Sequence, residues 1–232
     1  HFFGKATSAQ NGVTGQYAHM LYAVADPFAT ANLGTKALTL NMNAMHGATL
    51  KNHPYIGGRV KSLSLKQEVG QHLVVTAACM GQKLGAIAAG LSSPAFPAEN
   101  LRLDYNNLTI RNGATVTRTG TAPNYTNITS TGAVVKPDSL TLELDRGMSD
   151  KQLLDGTEVV GKTSVGQLTG KLSMTIDFED PASGFSSVDE FMAWLAAVSS
   201  TSFLLTWDSG TAAGTGDNHA LIVDLPICNR LG

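Results

Sequence analysis

Alternation at period two runs through most of this chain. Residues 36 to 44, KALTLNMNA, set Leu38, Leu40 and Met42 on one side against Thr39, Asn41 and Asn43 on the other. The same rhythm returns in VKSLSLKQ (60 to 67), in the β-branched run LVVTAACM (73 to 80) and in KLSMTIDFE (171 to 179). Its cleanest form is SLTLELD (139 to 145), where Leu140, Leu142 and Leu144 oppose Ser139, Thr141, Glu143 and Asp145. Successive side chains of a strand point to opposite faces, so each run predicts a half-buried antiparallel strand with one core face and one polar face. Asn112-Gly113, inside NLTIRNGATV, predicts a tight hairpin, because a type I′ turn needs positive φ at both central positions. FLLTW (203 to 207) and ALIVDLPI (220 to 227) predict the last two strands, joined by the Gly-rich, mobile loop DSGTAAGTGDN.

Helical spacing is confined to a few places. Ser187-Val188-Asp189-Glu190 reads as a capping box, and Val188, Phe191, Met192, Leu195 and Val198 then share one face, which should lie against a sheet. Residues 16 to 25 and 82 to 91 are weaker helical candidates. Residues 1 to 35 are the least patterned and read as an N-terminal extension or arm. Residues 84 to 100 and 117 to 137 read as long excursions within one domain spanning 1 to 232, because the strands on either side resemble each other. RVKSLSL (59 to 65) and KPDSLTL (136 to 142) echo one another, as an old hairpin duplication or as shared β composition. The fold class expected is mainly β: an antiparallel β-sandwich or half-open barrel with one flanking α-helix and long loops.

Composition narrows the functional classes. Hydrophobic residues make up 43% of the 232 residues, enough for a real core, but charged residues only 15%, where about 25% is usual. A polar, weakly charged exterior suits a protein that covers itself with copies of itself, since self-repulsion is small. The net charge of -2 and the absence of any Lys/Arg run argue against a phosphate-binding protein. No apolar stretch is long enough for a membrane-spanning helix. Cys79 and Cys228 lack metal or redox spacing and are expected to be buried, reduced thiols. The chain opens on His1 rather than Met, as expected of a clipped or processed start, and the sequons at Asn107, Asn124 and Asn127 fit chance in an Asn- and Thr-rich chain.

Three patterns invite a chemical reading. Gly156-Thr157-Glu158-Val159-Val160-Gly161-Lys162-Thr163 matches the phosphate-cradling P-loop, G-x-x-x-x-G-K-[ST]. That chemistry needs a buried strand before the loop and a helix after it, whereas MSDKQLLD precedes and a period-two run follows. The six histidines show no H-x-x-H, H-x-H or H-E-x-x-H spacing, so isolated surface histidines are expected and no metal site. Glu143, Asp145, Asp177 and Glu179 offer carboxylates for a glycosidase-type pair, for a solvated strand face, or for a surface that repels nucleic acid. No G-x-S-x-G elbow is present. No catalytic residue and no cofactor is expected.

The order of segments then carries a resemblance. Gly57 to Leu65 (GGRVKSLSL) is followed by a strand that ends near small residues; Ser139 to Leu144 (SLTLEL) enters a loop with a short Gly motif; and Gly170 to Asp180 (GKLSMTIDFED) leads into the helix SVDEFMAWLAAV. This succession resembles the major tail tube proteins of siphophages, the long, non-contractile-tailed bacteriophages, over residues 36 to 83 and 101 to 230. The resemblance implies a non-enzymatic structural subunit of the virion, assembled in the bacterial cytoplasm into hexameric rings that stack into a tube. It implies as partners other copies of the chain, a tape measure protein, tail tip and terminator proteins, and double-stranded DNA in transit without specific binding. Long loops, residues 84 to 100 and 145 to 170, would bridge rings. The lumen-lining candidates are Ser62, Ser64, Lys66, Ser139, Thr141, Glu143, Asp145, Ser173, Thr175 and Asp177, with Lys66 expected at a rim. The opposite assignment, these faces as outer surface, stays open. Two other classes compete: a β-sandwich binding module, which calls for clustered exposed aromatics where Phe191, Trp194 and Phe203 occupy core-like positions, and a P-loop nucleotide-binding enzyme centred on Lys162.

Overall fold

The structure, a computed structural model, describes residues 2–10, 16–24, 37–91, 102–113, 115–122, 124–151, 162–196, 200–213 and 217–229. In chain order the strands are β1 (Gly4–Gln10), β2 (Tyr17–Ala23), β3 (Leu38–His46), β4 (Thr49–Glu68), β5 (Val74–Met80), β6 (Lys83–Leu84), β7 (Ala88–Ala89), β8 (Leu108–Asn112), β9 (Val116–Thr121), β10 (Asn124–Ser130), β11 (Ala133–Val135) and β12 (Ser139–Asp145). There follow β13 (Ser149–Lys151), β14 (Lys162–Ser164), β15 (Thr169–Thr175), the helix α1 (Ser187–Ala196), β16 (Ser200–Ala212) and β17 (Asn218–Asn229). Every strand pairing is antiparallel, and the protein is mainly β with one α-helix among the described residues.

Two sheets enclose the core. The C-terminal half of β4 lies between β12 and β5, and β15 extends the order to β15-β12-β4-β5. The second sheet runs β11-β8-β16-β17. Leu65, Leu140 and Leu142 from the first meet Ile110, Val135, Leu205 and Trp207 from the second. The expected inward leucines of β12 are therefore the core, Leu140 and Leu142 each only 1% exposed. Trp207 is fully buried, and its indole N–H donates to Gln67 Oε1 (3.2 Å), while Gln67 Nε2 donates to Gln71 O (2.7 Å). Apolar bulk and a satisfied polar group thus occupy one site, the arrangement a buried Trp requires.

The N-terminal half of β4 leaves this sandwich and pairs with β3, β6 and β7. The change of partners falls just after Gly58, past a register shift that contains Gly57, which is buried with φ of 75°. A Cβ there would meet the Gln82 side chain at 2.5 Å, so the position demands glycine on two counts.

Several expectations are corrected. Residues 17–23 of the first helical candidate form β2, paired with β1 from Gly4↔Ala23 to Gln10↔Tyr17, and residues 83–84 and 88–89 of the second are short strands. In both places the small and β-tolerant residues gain backbone partners from a neighbouring strand, which helical propensity alone does not weigh. The described part of residues 1–35 is thus a hairpin, and it lies against β10. Arg146 holds its start: Nε and Nη2 donate to the carbonyls of Phe2 (3.1 Å) and Phe3 (2.9 Å). Arg146 is 2% exposed, and burial pulls its guanidinium down from the ordinary value, yet Arg stays charged in proteins. Arg146→Leu should leave the Phe2 carbonyl without its donor, at about 1–3 kcal/mol where it stays dry, while Phe3 O keeps its bond from Val24 N (3.0 Å). Limited proteolysis should then cut the β1–β2 hairpin while the core remains resistant; equal resistance in parent and variant would show that Arg146 does not hold it.

Asn112-Gly113 does not close a two-residue hairpin. Gly113 has the expected positive φ (66°), but β8 pairs with β11 and β16, and β9 pairs with β10. Arg118 of β9 then clasps Asp224 of β17, donating from Nε (2.9 Å) and Nη2 (2.5 Å). Most of the loop expected after β16 is strand as well, since β16 runs to Ala212 and β17 starts at Asn218.

The helix cap is displaced by one residue. Ser186, not Ser187, caps α1: its Oγ accepts from the amide of Asp189 (3.0 Å), and its carbonyl accepts from Glu190 N (3.2 Å). Ser187 Oγ donates to Asp177 O (2.7 Å) and accepts from Glu179 N (2.7 Å). The carboxylate of Glu190 accepts from Asn112 Nδ2 (3.0 Å) and tethers α1 to β8. Nor is the apolar face of α1 buried: Phe191, Met192 and Leu195 are all exposed, so Phe191 is not a core residue. Val198 lies outside the described residues.

Cys79 is likewise exposed, because β5 is an edge strand, and Cys228 is half-buried; neither is in a disulfide. Burial pushes the Cys228 thiol up from its ordinary value. A thiol reagent at neutral pH should therefore modify Cys79 well before Cys228. Mass spectrometry of a time course checks the order, and faster labelling at Cys228 would contradict it.

Candidate functional site

The nine strand-borne lumen candidates stand on one surface. Residues directly opposite in a ladder share a face. Ser62 of β4 opposes Asp145 of β12, which opposes Thr169 of β15. The next rungs are Ser64–Glu143–Lys171, Lys66–Thr141–Ser173 and Glu68–Ser139–Thr175. On the other side of β4, Ala78, Thr76 and Val74 of β5 complete the first three rungs. This face is turned away from the core, which takes the intervening Leu65, Leu140 and Leu142. Asp177 is the exception: it lies past the end of β15, where its carbonyl receives the Ser187 hydroxyl.

Four polar members of the face were missed: Glu68, Thr76, Thr169 and Lys171. Glu68 and Lys171 have the same strand parity as the chosen residues, and that signal was enough to find them. They change the electrostatics. Glu68, Glu143 and Asp145 oppose Lys66 and Lys171, so the surface is mixed and mildly acidic. Lys66 stands on the third of these four rungs, with Nζ 2.6 Å from Glu68 Oε1. Asp145 Oδ1 accepts from Gly147 N (2.5 Å), and Ser139 Oγ donates to Thr175 Oγ1 (3.1 Å). A shallow hollow of about 300 Å³ is lined by residues 62–64 of β4, 143–145 of β12 and 169–171 of β15.

On the flanks of this sheet, residues 103–105 bond to Gln71 and Leu73 just before β5. Among the described residues no other strand is paired to the outer edge of β5 or of β15. Apolar side chains are exposed beside these edges and beyond them: Val74 and Val75 on β5, Leu40, Met42 and Met45 on β3, and Phe178, Met192 and Leu195 around α1. Phe178, Phe191 and Trp194 touch ring to ring, with centroids 6.0 and 5.8 Å apart, so an exposed aromatic cluster does exist.

The other chemical readings fare as follows. Residues 156–161 of the P-loop match lie outside the described residues. Lys162 and Thr163 belong to β14, which pairs with β13, and the Thr163 hydroxyl donates to Asp150 Oδ1 (2.6 Å). The next regular element is another strand, β15, so no helix N-terminus follows Lys162 to face a phosphate. Glu143 and Asp145 are neighbours on the sheet, whereas Asp177 and Glu179 lie in the segment leading to α1. The described histidines are less isolated than expected. His19 bonds Ser8 Oγ (2.8 Å), His72 is paired with Asp104, and His46 Nε2 lies 2.8 Å from His53 Nε2. No group of three or more potential metal-ligating His, Cys, Asp or Glu occurs among the described residues. No described helix is long and apolar enough to cross a membrane. No protein-family model matches the chain, and no curated protein matches it.

Proposed function

We propose that this chain is a self-assembling structural subunit of the siphophage tail tube kind, whose rings stack into a conduit for DNA. The observation that carries the reading is the four-stranded sheet β15-β12-β4-β5, whose outward face is polar except at Ala78 and Val74 and whose two outer edges pair with no other strand among the described residues. An open strand edge is a template for another strand, and closing sheets into a barrel removes every such edge. Joining β5 of one copy to β15 of the next extends each rung into a neighbour.

Six four-stranded sheets at a strand spacing of about 4.8 Å make a wall about 115 Å around and about 37 Å across, before tilt widens it. The polar face then lines the pore. Hydroxyls hold phosphate weakly, Glu143 and Asp145 repel it, and Glu68 locally offsets Lys66. The exposed apolar residues of β3 and α1 find cover against adjacent copies or adjacent rings. A tape measure protein would occupy the same pore during assembly, and tail tip and terminator proteins would bound the tube.

Negative-stain microscopy and sedimentation of purified protein test this. Rings or tubes are the expected result. A strict monomer at high concentration, with or without a seeding tail tip, would sink it.

A further inference from the structure

We infer that His46 and His53 form a binding site for a borderline divalent transition-metal ion, of the Zn²⁺, Ni²⁺ or Cu²⁺ class. The two lie seven residues apart, too far for a ligand motif, but β3 and β4 fold back on each other between them. The pairing Met42↔His53, Ala44↔Lys51 and His46↔Thr49 puts both histidines on one face, two rungs apart. Their rings lean together over the middle rung, with centroids 4.9 Å apart. Ala44 makes this possible. Its methyl leaves room between the rings, and it is the one half-buried residue of an otherwise exposed β3.

The two Nε2 atoms face each other at 2.8 Å. Without metal, one ring donates its N–H and the other accepts. A metal replaces that shared proton: both rings turn a lone pair inward and carry their protons on Nδ1. Zn–N bonds of about 2.0–2.1 Å at a tetrahedral angle require the nitrogens about 3.3 Å apart, so the pair must open by only about half an ångström. Both rings stand on paired strands, and the remaining coordination positions open to water. No carboxylate stands on these three rungs, which disfavours Mg²⁺ and Ca²⁺, whose ligands are oxygens. Lys51 shares the face; its ammonium rides on a long flexible stem and can turn away from a bound cation.

The inference is independent of tube formation. Calorimetric titration of untagged protein with Zn²⁺ and with Ni²⁺ tests it, in a His1→Ala background that removes the terminal imidazole. One saturable equivalent is expected, with no response to Mg²⁺. His46→Ala and His53→Ala should each lose it, and His72→Ala should not. Ala44→Leu keeps both imidazoles but fills the space between them, and should lose it too. Absence of saturable binding in the parent, or binding that survives both histidine substitutions, would overturn the site.

Discussion

Val75→Pro should abolish ring and tube formation while leaving the monomer folded. Val75 is 56% exposed on β5, the edge strand of the polar sheet. Strand amides alternate in direction, and that of Leu73 points away from β4, since it donates to Leu103 O (2.8 Å). The amide of Val75, two residues on, therefore points to the same edge, beyond the stretch that Leu103 covers, where no described strand is paired and an incoming strand would need it. Proline removes that donor and puts a ring in its place, a change that edge strands tolerate. Val74→Pro is the informative contrast. Its amide points inward, where Val74 pairs with Lys66, so the monomer itself should be destabilised. Sedimentation velocity and thermal melting separate the two outcomes. Should Val75→Pro assemble like the parent, the β5 edge is not a subunit contact, and the proposed function loses the observation that carries it.

Trp207→Ala should cost about 3–5 kcal/mol, the largest loss of any single truncation in this core. The side chain is fully buried between the sheets, and its removal leaves both a cavity and an unpartnered Gln67 carbonyl oxygen. With total stabilities of about 5–15 kcal/mol, the variant should be close to unfolding at ordinary temperature. Trp207→Phe keeps most of the apolar volume and loses the indole donor, so about 1–3 kcal/mol is expected. Urea unfolding, best measured in the non-assembling Val75→Pro background, reads both. A loss under 1 kcal/mol for Trp207→Ala would mean that the two sheets do not meet around it.

The two predictions depend on different kinds of information. The core leucines of β12 and the outward Ser139, Thr141, Glu143 and Asp145 were legible from spacing alone, because strand geometry assigns alternate residues to opposite faces whatever the partner. So were β16 and β17, whose apolar runs suit a buried strand pair. The capping signal before α1 was legible to within one residue. It gave no hint that Asn112, distant in sequence, donates to the Glu190 carboxylate. Burial was misjudged at Phe191, Met192 and Cys79 for one reason. An apolar residue is buried only where another surface covers it, and among the described residues nothing covers Phe191, Met192 or Cys79.

By itself the sequence determined the class of structure, the location of most strands and the residues sharing each strand face, since all three follow from a local period of two. Only the tertiary structure decided which strands pair, and with that the single polar surface, its open edges, the clasp of Arg146 on the N-terminal hairpin and the meeting of His46 with His53. Strand partners are chosen by contacts distant in sequence, whose free energies compete with one another and leave no local mark.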